Sequence, residues 1–310
     1  MPGSGAGPGR TDPPGPPFRS GFVAVVGRPN VGKSSLVNGL VGRKVSIVSD
    51  KPQTTRFAVR GVLNGAGYQA VFTDTPGYHK PRTPMGDRLN RRVEDTVAGV
   101  DAVLLVVDAA AGVGRGDAFV ASREVEGFAG PKLCAVNKVD LLRHPALVPQ
   151  LQAAADLAGF DHVTPVSART GQGLDGLREL IVDMLPAGAR LFPEDAPTDL
   201  PLELRVAEAV REKALALTRE EVPHSIAVEV EELDREDGDG LVRISAVILV
   251  ERDSQKGIVI GKGGSMLKEI GTLARRELEG WFGAKVFLDL RVKVLKDWQR
   301  DPRALDRLGF

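Results

Sequence analysis

The sequence predicts an α/β domain with a phosphate-binding loop, followed by a smaller α+β domain. In the first half, short apolar runs suited to buried parallel strands are each followed by a polar loop motif. A Pro-rich stretch at 192–197 then interrupts this pattern. Beyond it, helical and alternating apolar patterns succeed one another in the order α-β-β-α-α-β. These three observations define the predicted fold class.

The domain boundaries follow from composition. Residues 1–20 are rich in proline and glycine and are expected to be a disordered tail. The first domain is expected at 21–185, a linker at 186–200 and the second domain at 201–310. A chain of 310 residues is long enough for two domains with separate cores.

Cysteine content and hydropathy indicate the cellular compartment. One cysteine, Cys134, excludes an internal disulfide and indicates a reducing compartment. No stretch is long and apolar enough to cross a bilayer. We therefore expect a cytoplasmic protein. A monomer is also expected.

The first loop motif has the pattern G-x-x-x-x-G-K-[ST] between an apolar strand, 22–26, and a predicted helix. Its glycines let backbone N–H groups close around phosphates, and the helix N-terminus adds partial positive charge. Lys33 would reach the β- and γ-phosphates, and Ser34 would ligate Mg²⁺. The alternative is a glycine-rich turn after a strand, which the later motifs disfavour. The motif residues are Gly27, Arg28, Pro29, Asn30, Val31, Gly32, Lys33 and Ser34.

The second loop motif follows an apolar strand, 70–73, and consists of Asp74, Thr75, Pro76 and Gly77. The Asp74 carboxylate is expected beside the Mg²⁺, at the carboxyl edge of the sheet where α/β proteins bind ligands. Gly77, which has no side chain, would let its N–H group approach the γ-phosphate. Alone, this motif is more often a plain turn.

The third motif follows the apolar run 133–136 and consists of Asn137, Lys138, Val139 and Asp140. The Asp140 carboxylate can accept hydrogen bonds from guanine N1–H and N2–H₂, whereas adenine has no such donor pair. Lys138 would lay its methylenes along the base, and Asn137 would bridge to the first loop. Backbone N–H groups of Ser167 and Ala168 would face guanine O6. The three motifs predict a site for GTP and GDP.

A polar stretch at 51–56 is the predicted first switch. One of its threonines would turn its hydroxyl to Mg²⁺ when a γ-phosphate is present, and we favour Thr55 over Thr54. The alternative is an ordinary solvated loop. Lys33, Thr55 and Gly77 are the candidate catalytic residues.

Tyr78 is counted with the nucleotide contacts. It stands where many GTPases have a glutamine that orients the attacking water, so slow intrinsic hydrolysis is expected. The alternative is that Tyr78 packs against the neighbouring loop.

A G-x-x-G motif in the second half consists of Gly261, Lys262, Gly263 and Gly264. About four such spacings arise by chance in a chain of this glycine content, so the setting between two short helices carries the prediction. The missing side chains let a nucleic-acid backbone approach main-chain N–H groups, and Ile260 would line an apolar groove for bases. Phosphate charge would come from Lys256, Lys262 and Lys268. Single-stranded RNA is favoured over a helix-turn-helix packed for its own sake.

The charge distribution agrees with this assignment. The totals cancel, at 41 basic and 41 acidic residues, but 220–239 carries nine acids and one base while 252–300 carries eleven bases and six acids. The basic segment contains the G-x-x-G motif. Trp281 and Trp298 are interpreted as core residues rather than stacking platforms.

Together these motifs resemble the Era family of bacterial GTPases. The resemblance covers 22–310 and also rests on 53–56 and on 167–169. It rests further on 251–256, the stretch that leads into the G-x-x-G motif. It implies an α/β P-loop GTPase domain followed by a smaller α+β type II KH domain. It further implies hydrolysis of GTP to GDP, binding of the 3′ end of 16S ribosomal RNA, and assistance in maturation and assembly of the 30S subunit.

The resemblance carries three smaller implications. It implies a peripheral association with the inner face of the cell membrane. It implies a K⁺ ion held by Asn30 against the phosphates, as in related GTPases. It also implies that a residue other than glutamine is normal at Tyr78.

Two other functions stay open at this point. A GTPase acting on transfer RNA would share the first half but would lack the α-β-β-α-α-β order of the second. A GTP-dependent docking module would use the second half to bind a protein or a membrane surface, with the acidic segment 220–239 as its support. Salt dependence separates RNA binding from the docking function, because phosphate contacts make RNA affinity fall steeply with salt.

Overall fold

Apolar runs in the first half form a six-stranded sheet. The computed structural model describes residues 17–51, 54–76, 84–97, 99–235 and 240–309. The strands of this sheet are β1 (Arg19–Val26), β2 (Val59–Gly65), β3 (Tyr68–Asp74), β4 (Ala102–Asp108), β5 (Lys132–Asn137) and β6 (His162–Pro165). Their order is β2-β3-β1-β4-β5-β6, and only β2 runs antiparallel to its neighbour. The carboxyl ends of the parallel strands therefore meet at one edge.

Helices cover both faces of this sheet. They are α1 (Lys33–Val41), α2 (Pro84–Val97), α3 (Arg115–Glu124), α4 (His144–Ala155) and α5 (Leu174–Met184). Alternate residues of β1 belong to two different core clusters, with Val23 and Val25 in one and Ala24 and Val26 in the other. Each fully buried valine or leucine contributes about 1.5–3 kcal/mol, so the central strands form the rigid base of the loops that follow them.

The start of β1 corrects the predicted tail. The strand begins at Arg19, so the expected disordered segment 1–20 is too long at its carboxyl end. The reason is backbone pairing, since Arg19 and Ser20 are in register with Tyr68 and Gln69 of β3. Residues 1–16 lie outside the described residues.

The predicted linker, 186–200, lies along the first domain. The backbone N–H of Val62 donates to the Pro197 carbonyl at 2.9 Å. The Gln69 side-chain oxygen accepts from the backbone N–H groups of Leu191 and Phe192 at 2.7 and 2.8 Å. This segment is therefore anchored to the edge of the sheet rather than extended between domains.

The second half follows the predicted α-β-β-α-α-β order. Its elements are α6 (Leu202–Leu217), α7 (Val222–Ser225), β7 (Ala227–Arg235), β8 (Leu241–Val250), α8 (Asp253–Ile260), α9 (Ser265–Phe282), β9 (Lys285–Val294) and α10 (Pro302–Arg307). The sheet order is β7-β8-β9, with β7 and β8 antiparallel and β8 and β9 parallel. Helices α6 and α9 pack on this sheet and on each other. The short helices α7 and α10 are additions to the predicted order.

The C-terminal segment joins the two domains. Trp298 is fully buried and donates its Nε1–H to the Ser225 carbonyl at 2.9 Å, so its interpretation as a core residue is confirmed. Trp298 and Leu305 belong to the same hydrophobic cluster as Phe57 and Met85 of the first domain. The two domains therefore share part of one apolar core. Among the described helices, none has the length and apolar character needed to cross a bilayer.

Candidate nucleotide site and nucleic-acid interface

The first loop motif connects β1 to α1 and requires glycine at two positions. A Cβ atom on Gly27, whose φ is +152°, would lie 2.5 Å from the Val106 carbonyl oxygen. A Cβ atom on Gly32, whose φ is +97°, would lie 2.4 Å from Nδ2 of Asn137. The loop therefore passes so close to β4 and to the third motif that a side chain at either position would displace it.

Lys33 folds back over this loop. It is 6% exposed, and its Nζ donates to the Gly27 and Arg28 carbonyls, each at 3.0 Å. Burial lowers the pKa of the Lys33 ammonium to about 8, although the charge of Asp74 raises it in part. A phosphate group beside this ammonium would offset the cost of its burial.

Three oxygen-bearing side chains meet beside the loop. Ser34 Oγ lies 2.9 Å from Thr55 Oγ1, which lies 3.5 Å from Asp74 Oδ2. Asp74 Oδ1 is buried and has no hydrogen-bond partner among the described residues. Burial raises the pKa of Asp74, against the opposing charge of Lys33. One buried carboxylate beside two hydroxyls fits Mg²⁺, which prefers oxygen ligands and keeps other positions for water and phosphate.

The two threonines of the predicted switch point in different directions. The Thr54 hydroxyl donates to the Lys51 carbonyl at 2.5 Å, within its own loop, whereas the Thr55 hydroxyl contacts Ser34. The loop motif and the switch together border a pocket of about 300 Å³, which Pro29 and Lys138 also line. The phosphate and switch motifs are thus brought together around one space.

Asn137 links three loops. It is 1% exposed, and its Nδ2 donates to the Val31 carbonyl at 2.9 Å. Its Oδ1 accepts from the Ala168 N–H at 3.0 Å. The Val139 N–H donates to the Val166 carbonyl at 3.3 Å, which adds a backbone contact between the same loops. The amide of Asn137 therefore fixes the guanine-type loop against the phosphate loop, as its predicted bridging role requires.

Asp140 is held at both carboxylate oxygens. Ser167 Oγ donates to Oδ1 at 2.5 Å, and Arg169 Nη2 lies 2.5 Å from Oδ2. The hydrogen bond from Ser167 and the charge of Arg169 lower the pKa of Asp140. The carboxylate is therefore ionised at neutral pH and can accept hydrogen bonds.

Lys138 has a partner that the sequence analysis missed. Its Nζ lies 2.6 Å from Oδ2 of Asp108 and donates to the Asn30 carbonyl at 2.7 Å. Asp108 is the last residue of β4, just as Asp74 is the last residue of β3. An acidic residue at the end of an apolar run is therefore the sequence pattern that could have predicted Asp108 as a site residue. Asp108 Oδ1 also accepts from the N–H groups of Ala110 and Ala111.

Of the remaining predicted nucleotide residues, three have a described environment and two lie outside the described residues. Arg28 pairs with buried Asp117 at 2.7 Å, Thr75 donates its hydroxyl to the Val25 carbonyl at 2.7 Å, and Pro76 is buried. Gly77 and Tyr78 lie outside the described residues, so their predicted roles are not addressed by the structure. In the described part of the chain, no three His, Cys, Asp or Glu side chains cluster as a metal site.

The G-x-x-G motif forms a turn between α8 and α9. Gly261 has φ +74°, and a Cβ atom there would lie 2.7 Å from Cβ of Met266, so glycine is required. Gly263 and Gly264 also have positive φ, at +59° and +81°, and a Cβ atom on either would meet no atom within 4 Å among the described residues. The turn is therefore tight on its inner side and open on its outer side.

A groove of about 500 Å³ starts at this turn and runs between α9 and β9. Its floor is apolar and includes Leu267, Leu288 and Leu290, while Lys268 and Arg275 add positive charge. Phe287 is 55% exposed and lies under the guanidinium of Arg243, whose Cζ is 5.8 Å from the ring centroid. An apolar groove with basic edges suits unstacked bases and a phosphate backbone.

Of the predicted RNA residues, Gly264 and Lys268 line this groove. Lys262 and Lys268 are exposed and Lys256 is half-buried. Ile260 was expected to line the groove, but it does not; it is partly buried because it packs against the core of the second domain. The sequence analysis missed the groove residues of β9. The alternation of apolar and polar residues along Lys285–Val294 could have predicted them, since Val286, Leu288 and Leu290 on one face of that strand line the groove.

Comparisons with known proteins identify the family of each half of the chain. The family model described as "50S ribosome-binding GTPase" matches residues 22–138, and the "KH domain" model matches 221–299. The chain is 47% identical over 298 residues to GTPase Era of Mycolicibacterium smegmatis, covering 94% of this chain and 99% of that protein. It is 48% identical over 297 residues to GTPase Era of Mycobacterium tuberculosis, with the same coverage.

Two solved structures are similar over the same length. A structure of Era in complex with MgGDPNP and nucleotides 1506–1542 of 16S ribosomal RNA has a TM-score of 0.91 and 41% identity. It covers 94% of this chain and 99% of that chain. An Aquifex aeolicus Era variant bound to GDP and AlF4⁻ has a TM-score of 0.90, with the same identity and coverage. The α/β P-loop GTPase domain followed by a KH domain is thus confirmed, and the chain belongs to the Era family of GTPases.

Proposed function

We propose that the protein is a GTP-hydrolysing switch that binds the 3′ end of 16S ribosomal RNA and assists maturation and assembly of the 30S subunit. The observation that carries this proposal is the presence, in one chain, of a guanine-type nucleotide site and a G-x-x-G groove. A relative of 41% identity over nearly its whole length carries MgGDPNP and the RNA segment 1506–1542. The domain division proposed with it keeps the linker at 186–200 and the second domain at 201–310, with the first domain beginning at Arg19 rather than at 21.

At the nucleotide site, the proposed roles follow from the contacts above. Lys33 neutralises the β- and γ-phosphates, and Asp140 accepts from guanine. Ser34, Thr55 and Asp74 hold Mg²⁺, which supplies positive charge against the phosphate oxygens when bound. The roles of Gly77 and Tyr78 and the K⁺ ion near Asn30 stay predictions.

At the groove, the G-x-x-G turn supplies a backbone surface that a phosphate can approach. Lys262 and Lys268 are exposed beside it and would neutralise phosphates. Leu267, Leu288 and Leu290 would contact the faces of unstacked bases. Affinity is therefore expected to come from both charge and apolar contact.

The experiment is a binding measurement with two RNA oligonucleotides. One carries the 3′-terminal sequence of 16S ribosomal RNA, and the other has the same composition in scrambled order. Both are titrated at several salt concentrations with GDP or a non-hydrolysable GTP analogue present. We expect tighter binding of the first oligonucleotide at every salt concentration, and a linear fall of log affinity with log salt.

Equal affinity for the two oligonucleotides would contradict the 16S assignment. Weak binding without salt dependence would instead favour the docking function, in which the second domain binds a protein or a membrane surface. Adding anionic vesicles to the same titration tests the predicted peripheral membrane association separately.

A further inference from the structure

The residues on both sides of Thr55 contact the second domain. Arg211 of α6 donates through Nη2 to the Thr54 carbonyl. On the other side, Arg56 donates to the carbonyls of His224 and Ile226 at 3.1 and 2.6 Å. The backbone that presents Thr55 to Ser34 and Asp74 is therefore attached to the other domain at its two neighbouring residues.

Arg211 is a rigid support. It is 1% exposed, and Glu208, one turn earlier on α6, holds it through two hydrogen bonds, Nε to Oε1 at 2.6 Å and Nη2 to Oε2 at 2.7 Å. A two-point contact between a planar guanidinium and a carboxylate fixes the direction of the donors. Such a buried pair has little freedom to follow a moving loop.

Glu212, the next residue of α6, contacts the other end of the chain segment 48–54. Glu212 accepts from the Val48 N–H at 2.8 Å through Oε1 and from Lys44 Nζ at 2.5 Å through Oε2. Adjacent residues of one helix thus contact the chain at position 48 and at position 54. Burial of Glu212 tends to raise its pKa, but hydrogen bonds from Lys213 and Lys44 lower the pKa overall, so the carboxylate stays ionised.

We propose that Arg211 is a positioning residue for the Mg²⁺ set of the nucleotide site, supplied by the RNA-binding domain. The Thr54 carbonyl belongs to the peptide group that precedes Thr55, so fixing its direction fixes the plane that holds the Thr55 N and Cα atoms, from which the hydroxyl is presented. That hydroxyl is 2.9 Å from Ser34 Oγ. The proposal rests on the proposed Mg²⁺ role of Ser34, Thr55 and Asp74.

The proposal has a mechanistic consequence. A γ-phosphate and Mg²⁺ would bind Thr55 in the orientation that Arg211 supports. GDP has no γ-phosphate, so it does not require that orientation. The second domain therefore favours the GTP-type arrangement of the switch by direct contact. By linkage, a triphosphate strengthens the contact between domains to the same degree.

The test compares three variants of the full-length protein. The first is Arg211→Met with Glu208→Gln, which removes the donor without leaving a buried carboxylate unpaired. The second is Arg211→Lys, which keeps the charge and one donor. The control is Arg205→Met, which removes an arginine of the same helix that packs over Trp281, with its Cζ 5.2 Å from the ring centroid.

The readout is binding rather than turnover. Affinities for GDP and for a non-hydrolysable GTP analogue are measured across a Mg²⁺ titration. The double variant is expected to need about fivefold or more Mg²⁺ for half-maximal analogue binding, while GDP affinity changes less than about twofold. Arg211→Lys should lie between the double variant and wild type, and Arg205→Met should match wild type.

Two outcomes would overturn the proposal. The first is an unchanged Mg²⁺ requirement in the double variant. The second is an equal loss of GDP and analogue affinity, which would indicate a purely structural contact between domains. If the double variant does not fold, Arg211→Lys alone decides, since a wild-type Mg²⁺ requirement in that variant also contradicts the proposal. These outcomes leave the RNA affinity of the proposed function unaffected, so the two proposals fail separately.

Discussion

The nucleotide site is buried and built from side chains bound to one another, whereas the G-x-x-G groove is open and presents exposed lysines and glycine backbone. Asn137 and Lys33 are 1% and 6% exposed; Asn137 joins separate loops by hydrogen bonds, and Lys33 closes its own loop by donating to the Gly27 and Arg28 carbonyls. Lys262 and Gly263 are exposed, and a Cβ atom on Gly263 would meet no described atom within 4 Å. Binding energy should therefore be concentrated in single residues at the first site and spread over many at the second.

The largest expected effect is at Asp140. Asp140→Asn removes the acceptor for the guanine N1–H and N2–H₂ groups, so GTP affinity should fall by about 10³- to 10⁴-fold. Xanthosine triphosphate, which presents an acceptor in place of the N2 donor, should bind the variant better than GTP does. Asp156→Asn, the same change at an exposed residue of the first domain, should leave both affinities unchanged. Unchanged GTP affinity in Asp140→Asn would contradict the guanine assignment.

The next effect is at the groove. Gly263→Asp places a negative charge where a phosphate is expected to approach, so affinity for the 16S 3′-end oligonucleotide should fall by about tenfold or more at low salt. Nucleotide affinity should not change, because Gly263 is exposed on the G-x-x-G turn, whereas Arg211 and Glu212, which contact the first domain, lie on α6.

Gly283→Asp is the matched control for this charge. Gly283 has φ +60°, close to the +59° of Gly263, and a Cβ atom there also meets no described atom within 4 Å. It lies at the other end of α9, about 27 Å away for a helix of 18 residues. An equal loss of RNA affinity in both variants would show that backbone strain, not charge, is responsible.

The pH dependence of nucleotide binding tests the buried site without mutation. The pKa of Lys33 is about 8, and phosphate oxygens beside the ammonium would raise it. Binding then takes up a proton above pH 8, so affinity should fall by about fivefold between pH 8 and pH 9 and by about tenfold per pH unit above that, until the bound ammonium itself titrates. Calorimetry in buffers of different ionisation enthalpy measures the proton uptake. A pH-independent affinity would place Lys33 away from the phosphates.

The smallest expected effect is that of one exposed lysine. Lys268→Ala removes one phosphate partner, so RNA affinity should fall only a few-fold and the slope of log affinity against log salt should decrease by about 0.7–1. Lys296→Ala removes an exposed lysine beyond β9 that does not line the groove, and its slope should equal that of wild type. A loss of 100-fold or more in Lys268→Ala would contradict the idea that energy is spread over the groove.

The difference between the regions also explains what the sequence could predict. The loop motifs were readable because each follows an apolar strand, and parallel strands deliver their ends to one edge. The predicted α-β-β-α-α-β order of the second domain was also found, with α7 and α10 as additions. Strands β2 and β4 were not among the predicted ones, although β4 is apolar throughout and ends in Asp108.

Contacts between distant segments were not predictable in the same way. Arg169 on Asp140, Asp108 on Lys138 and Arg211 on Thr54 depend on side-chain directions set by packing. The shared core of the domains includes Trp298, whose burial was expected, but its place in one cluster with Phe57 of the first domain was not. A single sequence carries no signal for which basic residue of α6 faces the first domain.

The most direct test of the account is to crosslink the protein to RNA in cells and sequence what is bound. Wild type is compared with the Lys262→Asp/Gly263→Asp variant and with Gly283→Asp. The account predicts enrichment at the 3′ end of small-subunit ribosomal RNA that is lost in the first variant and kept in the second. Enrichment that is absent, or that survives the Lys262→Asp/Gly263→Asp change, would contradict the assignment of the groove to this RNA.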